Sequence, residues 1–263
     1  MEDRGALQLS IPGIHAEVAG AGPTVVLNHD GLLDSAAWGT MFEALSTTHR
    51  VVRWDRRGYG RSDSPTGPYS SVDDLVRVIR AASDAPVTMI GCSFGGFLAL
   101  RCALDHPELV SALVLLGPIV TGLPLSEHFL TRGGREVPGP HAAVERQIEF
   151  WSETDPWYVA PANTAARQRL REVLEASPNN LGPHEDGAVE PDRPALPRLG
   201  EIAVPTLLLV GEADHPDVHA HSGAIEAAIP GARRTVLSGC GHSPHLEVPD
   251  ALDRVLREFL DAH

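Results

Sequence analysis

A mostly parallel α/β sheet of about eight strands, flanked by helices and carrying an inserted helical cap, is the fold class this sequence predicts. Three observations carry that expectation. Short β-branched apolar runs recur along the chain with helical or turn segments between them, the pattern of strands covered by helices on both faces. The strand pattern stops between Pro118 and Leu199 and then resumes. The chain has 263 residues, 43% hydrophobic and 21% charged, enough for one large core with a modest insertion.

Taken in order, Ala6 to Ile11 and Ile14 to Ala19 flank the turn pair Pro12-Gly13 and read as an antiparallel edge. The runs Thr24 to Asn28, Arg50 to Trp54, Val87 to Ile90, Ala112 to Leu116, Thr206 to Val210 and Arg233 to Leu237 read as strands buried on both faces. Ser71-Val72-Asp73-Asp74 has the form of a capped helix start, leading to Leu75, Val78 and Ile79. Phe94 to Leu104 is rich in helix formers. Pro249 to Leu260 has proline in its first turn and Leu252, Val255, Leu256 and Phe259 at helical spacing. Within 118–199, two amphipathic pieces, Ala142 to Trp151 and Thr164 to Ala176, argue against a structureless loop. Residues 1–117 and 200–263 are therefore expected to form the core, and 118–199 a helical cap over the sheet edge.

Composition removes several function classes. With 21 basic against 35 acidic residues, the net charge of −14 would repel a phosphate backbone or an anionic membrane, so neither nucleic acid nor membrane is expected as a partner. Every basic residue other than histidine is arginine, which excludes lysine Schiff-base and pyridoxal chemistry. Cys92, Cys102 and Cys240 lack the spacing of a zinc site or disulfide framework, and a reducing cytoplasm is the expected location. Met1-Glu2-Asp3-Arg4-Gly5 carries no apolar signal core, and the apolar runs are too short to span a bilayer.

The strongest chemical signal is Gly91-Cys92-Ser93-Phe94-Gly95-Gly96, between a strand and a helix. Such a turn needs small neighbours, because the serine backbone is strained and its hydroxyl must project outward. The helix start also aims amide groups and a positive dipole end at a developing oxyanion. A serine hydroxyl needs a base, usually a histidine held by a carboxylate. Gly211-Glu212-Ala213-Asp214 and Gly239-Cys240-Gly241-His242 each follow a strand, so both fall at the sheet edge that presents Ser93. The order serine, acid, histidine supports a triad of Ser93, Asp214 and His242. Asp217 competes for the acid role, and His245 for that of the base. His245 and Glu247 otherwise read as packing and loop residues, Cys92 as a small buried thiol, and His215, His219 and His221 as a solvated helix face rather than a metal cluster.

Over nearly its full length the chain resembles the α/β-hydrolase superfamily. Besides the triad, Asp55-Arg56-Arg57-Gly58-Tyr59-Gly60-Arg61-Ser62 is similar to that family's Asp-x-Arg-Gly-x-Gly-x-Ser turn. His29-Asp30-Gly31 followed by Trp38 stands in place of its oxyanion segment. Gly241-His242-Ser243-Pro244-His245-Leu246-Glu247-Val248-Pro249 is similar to its histidine loop. The resemblance implies backbone N–H groups of Gly31 and Phe94 as oxyanion donors, and Asp55, Arg56 and Arg61 as structural residues of the turn. Asp30 departs from the family, which has glycine there; its side chain is expected to turn away from the oxyanion hole. Asp30, Trp38, Phe150, Trp151 and Trp157, with Phe129 and Tyr158, are candidates to line an apolar pocket. The expected activity is hydrolysis of a small to medium apolar ester or lactone through an acyl-enzyme, with no metal or organic cofactor. A C–C bond hydrolase or cofactor-free perhydrolase, a cyclising or rearranging biosynthetic enzyme, and a slow-turnover ligand receptor remain open on the same residues.

Overall fold

The computed structural model describes residues 5–182, 188 and 193–263. Residues Met1–Arg4 of the N-terminal reading, and 183–187 and 189–192 of the expected cap, lie outside the described residues. Among the described residues eight strands follow one another: β1 Leu7–Gln8, β2 Ala16–Ala19, β3 Thr24–Asn28, β4 Arg50–Trp54, β5 Val87–Cys92, β6 Val110–Leu116, β7 Thr206–Gly211 and β8 Arg233–Leu237. They form a single sheet in the order β1-β2-β4-β3-β5-β6-β7-β8. The pairs β1–β2 and β2–β4 are antiparallel and the rest are parallel. Because β3 lies between β4 and β5, the chain reverses its direction of travel across the sheet there. The loops leaving β3 and β5 therefore open on one crevice.

The two-residue period of the strands divides the core. Val26, Val52, Met89, Leu113, Leu115 and Leu208 pack on one face with helices α2 (Ser71–Ala82), α3 (Phe94–Asp105) and α7 (Pro216–Ala228). Val25, Leu27, Val51, Ile90, Val114, Leu116 and Leu209 pack on the other with α1 (Gly39–Leu45) and α9 (Pro249–Leu260). Burial on both faces explains the unbroken apolar runs. Two expectations need correcting. β8 is an edge strand with Arg233, Arg234, Thr235 and Val236 exposed, so its chemistry follows its single neighbour β7 rather than two covered faces. The cap of α2 is Ser70, whose Oγ accepts from the Asp73 N–H at 3.1 Å, one residue earlier than the Ser71 start read above. Strands β5 and β7 also run on through Gly91-Cys92 and Gly211, residues without β propensity that are held by pairing alone.

Between β6 and β7 lie α4 (Glu127–Leu130), α5 (Val144–Glu149), a π turn over Phe150–Thr154, and α6 (Thr164–Ala176). This insertion has its own apolar cluster. Ile148, Tyr158, Val159, Ala166, Leu170 and Leu174 pack with Leu32, Leu33 and Ala37 of the loop after β3, and with Leu246 of α8 (Pro244–Glu247). It is thereby seated on the carboxyl ends of the strands.

Candidate active site

Strand β5 holds its register to the last residue, Cys92 opposite Leu116, and the Ser93 N–H donates to the Leu116 carbonyl at 2.8 Å. Ser93 then takes φ 51° and ψ −112°, a conformation that costs a side-chain-bearing residue about 1–3 kcal/mol, and α3 starts at Phe94. Gly95 permits the sharp turn: a Cβ there would collide with the Asn28 carbonyl of β3. The Phe94 N–H is the first of α3 and so has no intrahelical acceptor.

Asp214 and His242 meet above the same edge. His242 Nδ1 lies 2.9 Å from Asp214 Oδ2 and 3.1 Å from Oδ1, and the His215 N–H donates to Oδ1 at 2.7 Å. Gly117, which follows β6 with φ 52°, lies under this pair; a Cβ on it would come within 2.9 Å of the His242 ring. Since Gly117 follows the residue that pairs with Cys92, this contact brings the histidine to the serine turn. Of the two acids weighed in the sequence, Asp214 is the one in contact with His242. Asp217 instead accepts from Ser126, at 2.5 Å from N–H and 2.8 Å from Oγ.

The histidine loop is fixed from within and from the insertion. Glu247 Oε1 and Oε2 accept from the Gly241 N–H at 2.9 and 3.0 Å, Oε1 accepts from Ser243 at 3.2 Å, and Oε2 from the Ala160 N–H at 2.7 Å. The His242 N–H donates to the Trp157 carbonyl at 2.8 Å. Burial pulls the His242 pKa down, but the charge and hydrogen bond of Asp214 and the charge of Asp30 outweigh it, leaving the pKa above the usual 6.5. His245 is buried against Trp38, with ring centroids 4.5 Å apart, and its desolvation lowers its pKa to about 4. That makes it a neutral packing residue near neutral pH.

Asp30 is 1% exposed. Its Oδ1 accepts from the Leu32 and Leu33 N–H groups at 2.7 and 2.8 Å, and its Oδ2 from the Tyr158 hydroxyl at 2.8 Å. Its carbonyl accepts from Arg56 Nη2 at 2.5 Å and from His29 Nδ1 at 2.9 Å. His29 Nε2 receives the Arg56 N–H, which assigns the ring proton to Nδ1. In a trans peptide the N–H opposes the C=O, so the Gly31 N–H points away from Arg56 and His29. Asp55 accepts from Ser35 and Arg61 amides at 2.8 and 2.9 Å, and Arg56 stacks between the Tyr59 and Phe94 rings.

The pocket candidates separate. Trp38 is fully buried in the core cluster that also holds residues of α1 and α9, and its ring stacks on that of His245. Phe150 lies along a surface cleft of about 330 Å³ with Arg135, Pro138, Arg146 and Thr154. Trp151 and Trp157 are half-buried around Arg132, as is Phe129. His215 and His221 are buried rather than on a solvated face; His215 packs against Trp157, Phe129 and His128, and His221 Nδ1 accepts from the Val120 N–H at 3.1 Å. His219 is half-buried. Cys92 is buried and burial drives its thiol pKa well up. Among the described residues no group of three or more His, Cys, Asp or Glu side chains could hold a metal ion. Sequence reasoning missed the Tyr158–Asp30 bond and the buried Arg132–Asp155 pair, both of which link residues through folding alone.

The family model described as alpha/beta hydrolase family matches residues 18–255. The chain belongs to this family. As a member it is an enzyme, and its relatives indicate the range of the fold. It is 30% identical over 267 residues to polyketide synthase ThaQ of Burkholderia thailandensis, covering 96% of this chain but only 12% of that protein's length. It is 25% identical to 2-hydroxy-6-oxo-6-phenylhexa-2,4-dienoate hydrolase of Comamonas testosteroni, covering 94% and 91% of the two chains. A thermophilic esterase from Thermogutta terrifontis superposes with a TM-score of 0.77 at 25% identity, covering 98% of each chain. Among the described residues of this family member, no helix is long and apolar enough to cross a membrane.

Proposed function

We propose that this α/β-hydrolase is a serine hydrolase that cleaves an ester or lactone of a small to medium apolar molecule. The observation that carries this reading is the strained Ser93 turn set beside a histidine bonded to a buried carboxylate. His242 takes the Ser93 proton as the hydroxyl attacks the carbonyl, and Asp214 fixes the ring so that Nε2 is the free base. The Phe94 and Gly31 N–H groups hold the oxyanion; one such donor is worth about 3–4 kcal/mol of barrier lowering in comparable sites. The protonated His242 then releases the alcohol, and water, activated in turn by the same ring, frees the acid. The insertion acts as a cap, with Trp151, Trp157 and Phe129 the side chains that meet the apolar part of the substrate. The substrate is a small molecule, and no metal or organic cofactor enters the scheme.

The esterase named above supports ester cleavage. One relative favours a second reading: the dienoate that names it contains no ester, so its hydrolysis must break a carbon–carbon bond next to the 6-oxo group. Purified protein assayed on a series of esters and lactones, and on a 6-oxodienoate, separates the two. Ester or lactone turnover that Ser93→Ala abolishes supports the first reading; turnover of the oxodienoate alone transfers the assignment to the second.

A further inference from the structure

Asp30 stands where an oxyanion segment ordinarily carries no charge, and its surroundings give it a definite task. The carboxylate is buried and held by three donors, two from its own loop and one, the Tyr158 hydroxyl, from the insertion. The Tyr158 ring lies against the His242 ring, with centroids 5.8 Å apart. Tyr158 is itself held in place. Asp155 Oδ1 accepts from the Trp157 and Tyr158 N–H groups at 3.0 and 2.7 Å, while Arg132 clamps the same carboxylate and Arg167 donates to the Asp155 and Val159 carbonyls. The neighbouring Trp157 carbonyl takes the His242 N–H. One strap of the insertion, residues 155–160, thus joins the loop after β3 to the histidine loop.

We propose that Asp30 is a positioning residue for His242: a second buried carboxylate, joined to that ring through Tyr158, that favours the imidazolium formed during the reaction. This deepens the serine hydrolase reading and rests on it. The groups around His242 are Asp214 after β7, Asp30 after β3, Arg132 and Tyr158 of the insertion, Cys92 at the end of β5, and His245 and Glu247 of its own loop. Asp214 and Asp30 favour the cation, whereas Arg132 and burial oppose it. Bonding to Leu32, Leu33 and Tyr158 spends the Asp30 oxygens on donors other than the substrate, which is how a carboxylate is tolerated beside an oxyanion site.

The test is the pH dependence of Ser93 phosphonylation by a fluorophosphonate, which needs no natural substrate and follows the neutral fraction of His242. Losing the Asp30 charge lowers the basicity of the ring, so more of it is neutral in acid. With each rate normalised to its own plateau near pH 8, Asp30→Asn at pH 6 is expected to react about threefold or more faster than wild type. Tyr158→Phe keeps the charge and is expected to show no such gain. If Asp30→Asn is poorly folded, Asp30→Ser, which retains an acceptor for the Leu32 and Leu33 amides, takes its place with the same expectation. An unchanged normalised profile in the folded neutral variant overturns the proposal, as does an equal gain in Tyr158→Phe, which would assign the effect to loosening of the strap. Failure of wild type to label at Ser93 would instead remove the serine hydrolase reading beneath it.

Discussion

Asp214 and Asp217 are three residues apart, yet one holds the histidine and the other caps a serine of the insertion. An orienting carboxylate fixes the imidazole tautomer and stabilises its cation, so Asp214→Asn is expected to lower kcat by roughly three decades or more. Asp217→Asn removes contacts to Ser126 and is expected to stay within about tenfold of wild type. The reverse ranking in steady-state kinetics would transfer the acid role. In the proposed mechanism, activity requires neutral His242. Because its pKa is raised, chiefly by Asp214 once burial is overcome, activity should fall with acidification from a limb above pH 6.5; a flat profile from pH 5 to 8 would contradict this. At this scale the strand-to-helix turn at Ser93 and the meeting of Asp214 with His242 were legible in the sequence, since each of these residues follows a strand and small residues surround the turn. The use made of Asp30 was legible only by half. Its departure from the family pattern marked it as unusual, but its partner Tyr158 lies 128 positions away and no local spacing connects them.

At the scale of elements, the central strands declare themselves because burial on both faces demands continuous apolar residues. The edge does not. β8 begins Arg233-Arg234 and was read as a buried strand, though only its pairing with β7 makes it one. In the insertion, α6 matches its amphipathic spacing, while the segment 155–160 has no periodic pattern and owes its shape to Asp155, Arg132 and Arg167. Trp157 belongs to that segment, with its carbonyl on the His242 N–H and its ring against His215. If the insertion selects substrates, Trp157→Ala and Trp151→Ala should change relative kcat/KM along a series of acyl chain lengths, by about 1–3 kcal/mol per methylene where contact is lost. An equal loss for every chain length would assign both rings to packing.

The whole molecule combines a histidine that favours its proton with others that refuse it, and together with the carboxylates of Glu17, Asp155 and Asp217, whose pKa values are lowered, they bear on its acid stability. His245, His215, His221 and His49 are buried with lowered pKa values, chiefly through desolvation. A histidine with a depressed folded-state pKa binds its proton more readily when unfolded. Its contribution is therefore intact above about pH 6.5 and lost as pH falls towards the folded value. For His245, at about 4, the loss approaches ~3 kcal/mol. His242 has the opposite sign: its raised pKa adds stability in acid that fades as pH rises through it. With four depressed histidines against one raised, thermal melts should decline from pH 7 to 4.5, and His245→Asn should flatten that decline; an unaltered slope would show that His245 has no part in it. The sequence could not show this, since spacing alone made His215 and His221 look like a solvated face. The claim on which everything else depends is that Ser93 is the nucleophile. Its most direct measurement is peptide mass spectrometry of the protein after reaction with one equivalent of fluorophosphonate. A single adduct is expected on Ser93, absent from Ser93→Ala and strongly slowed in His242→Ala; an adduct on another residue, or undiminished labelling of Ser93→Ala, would contradict the assignment of Ser93 as nucleophile.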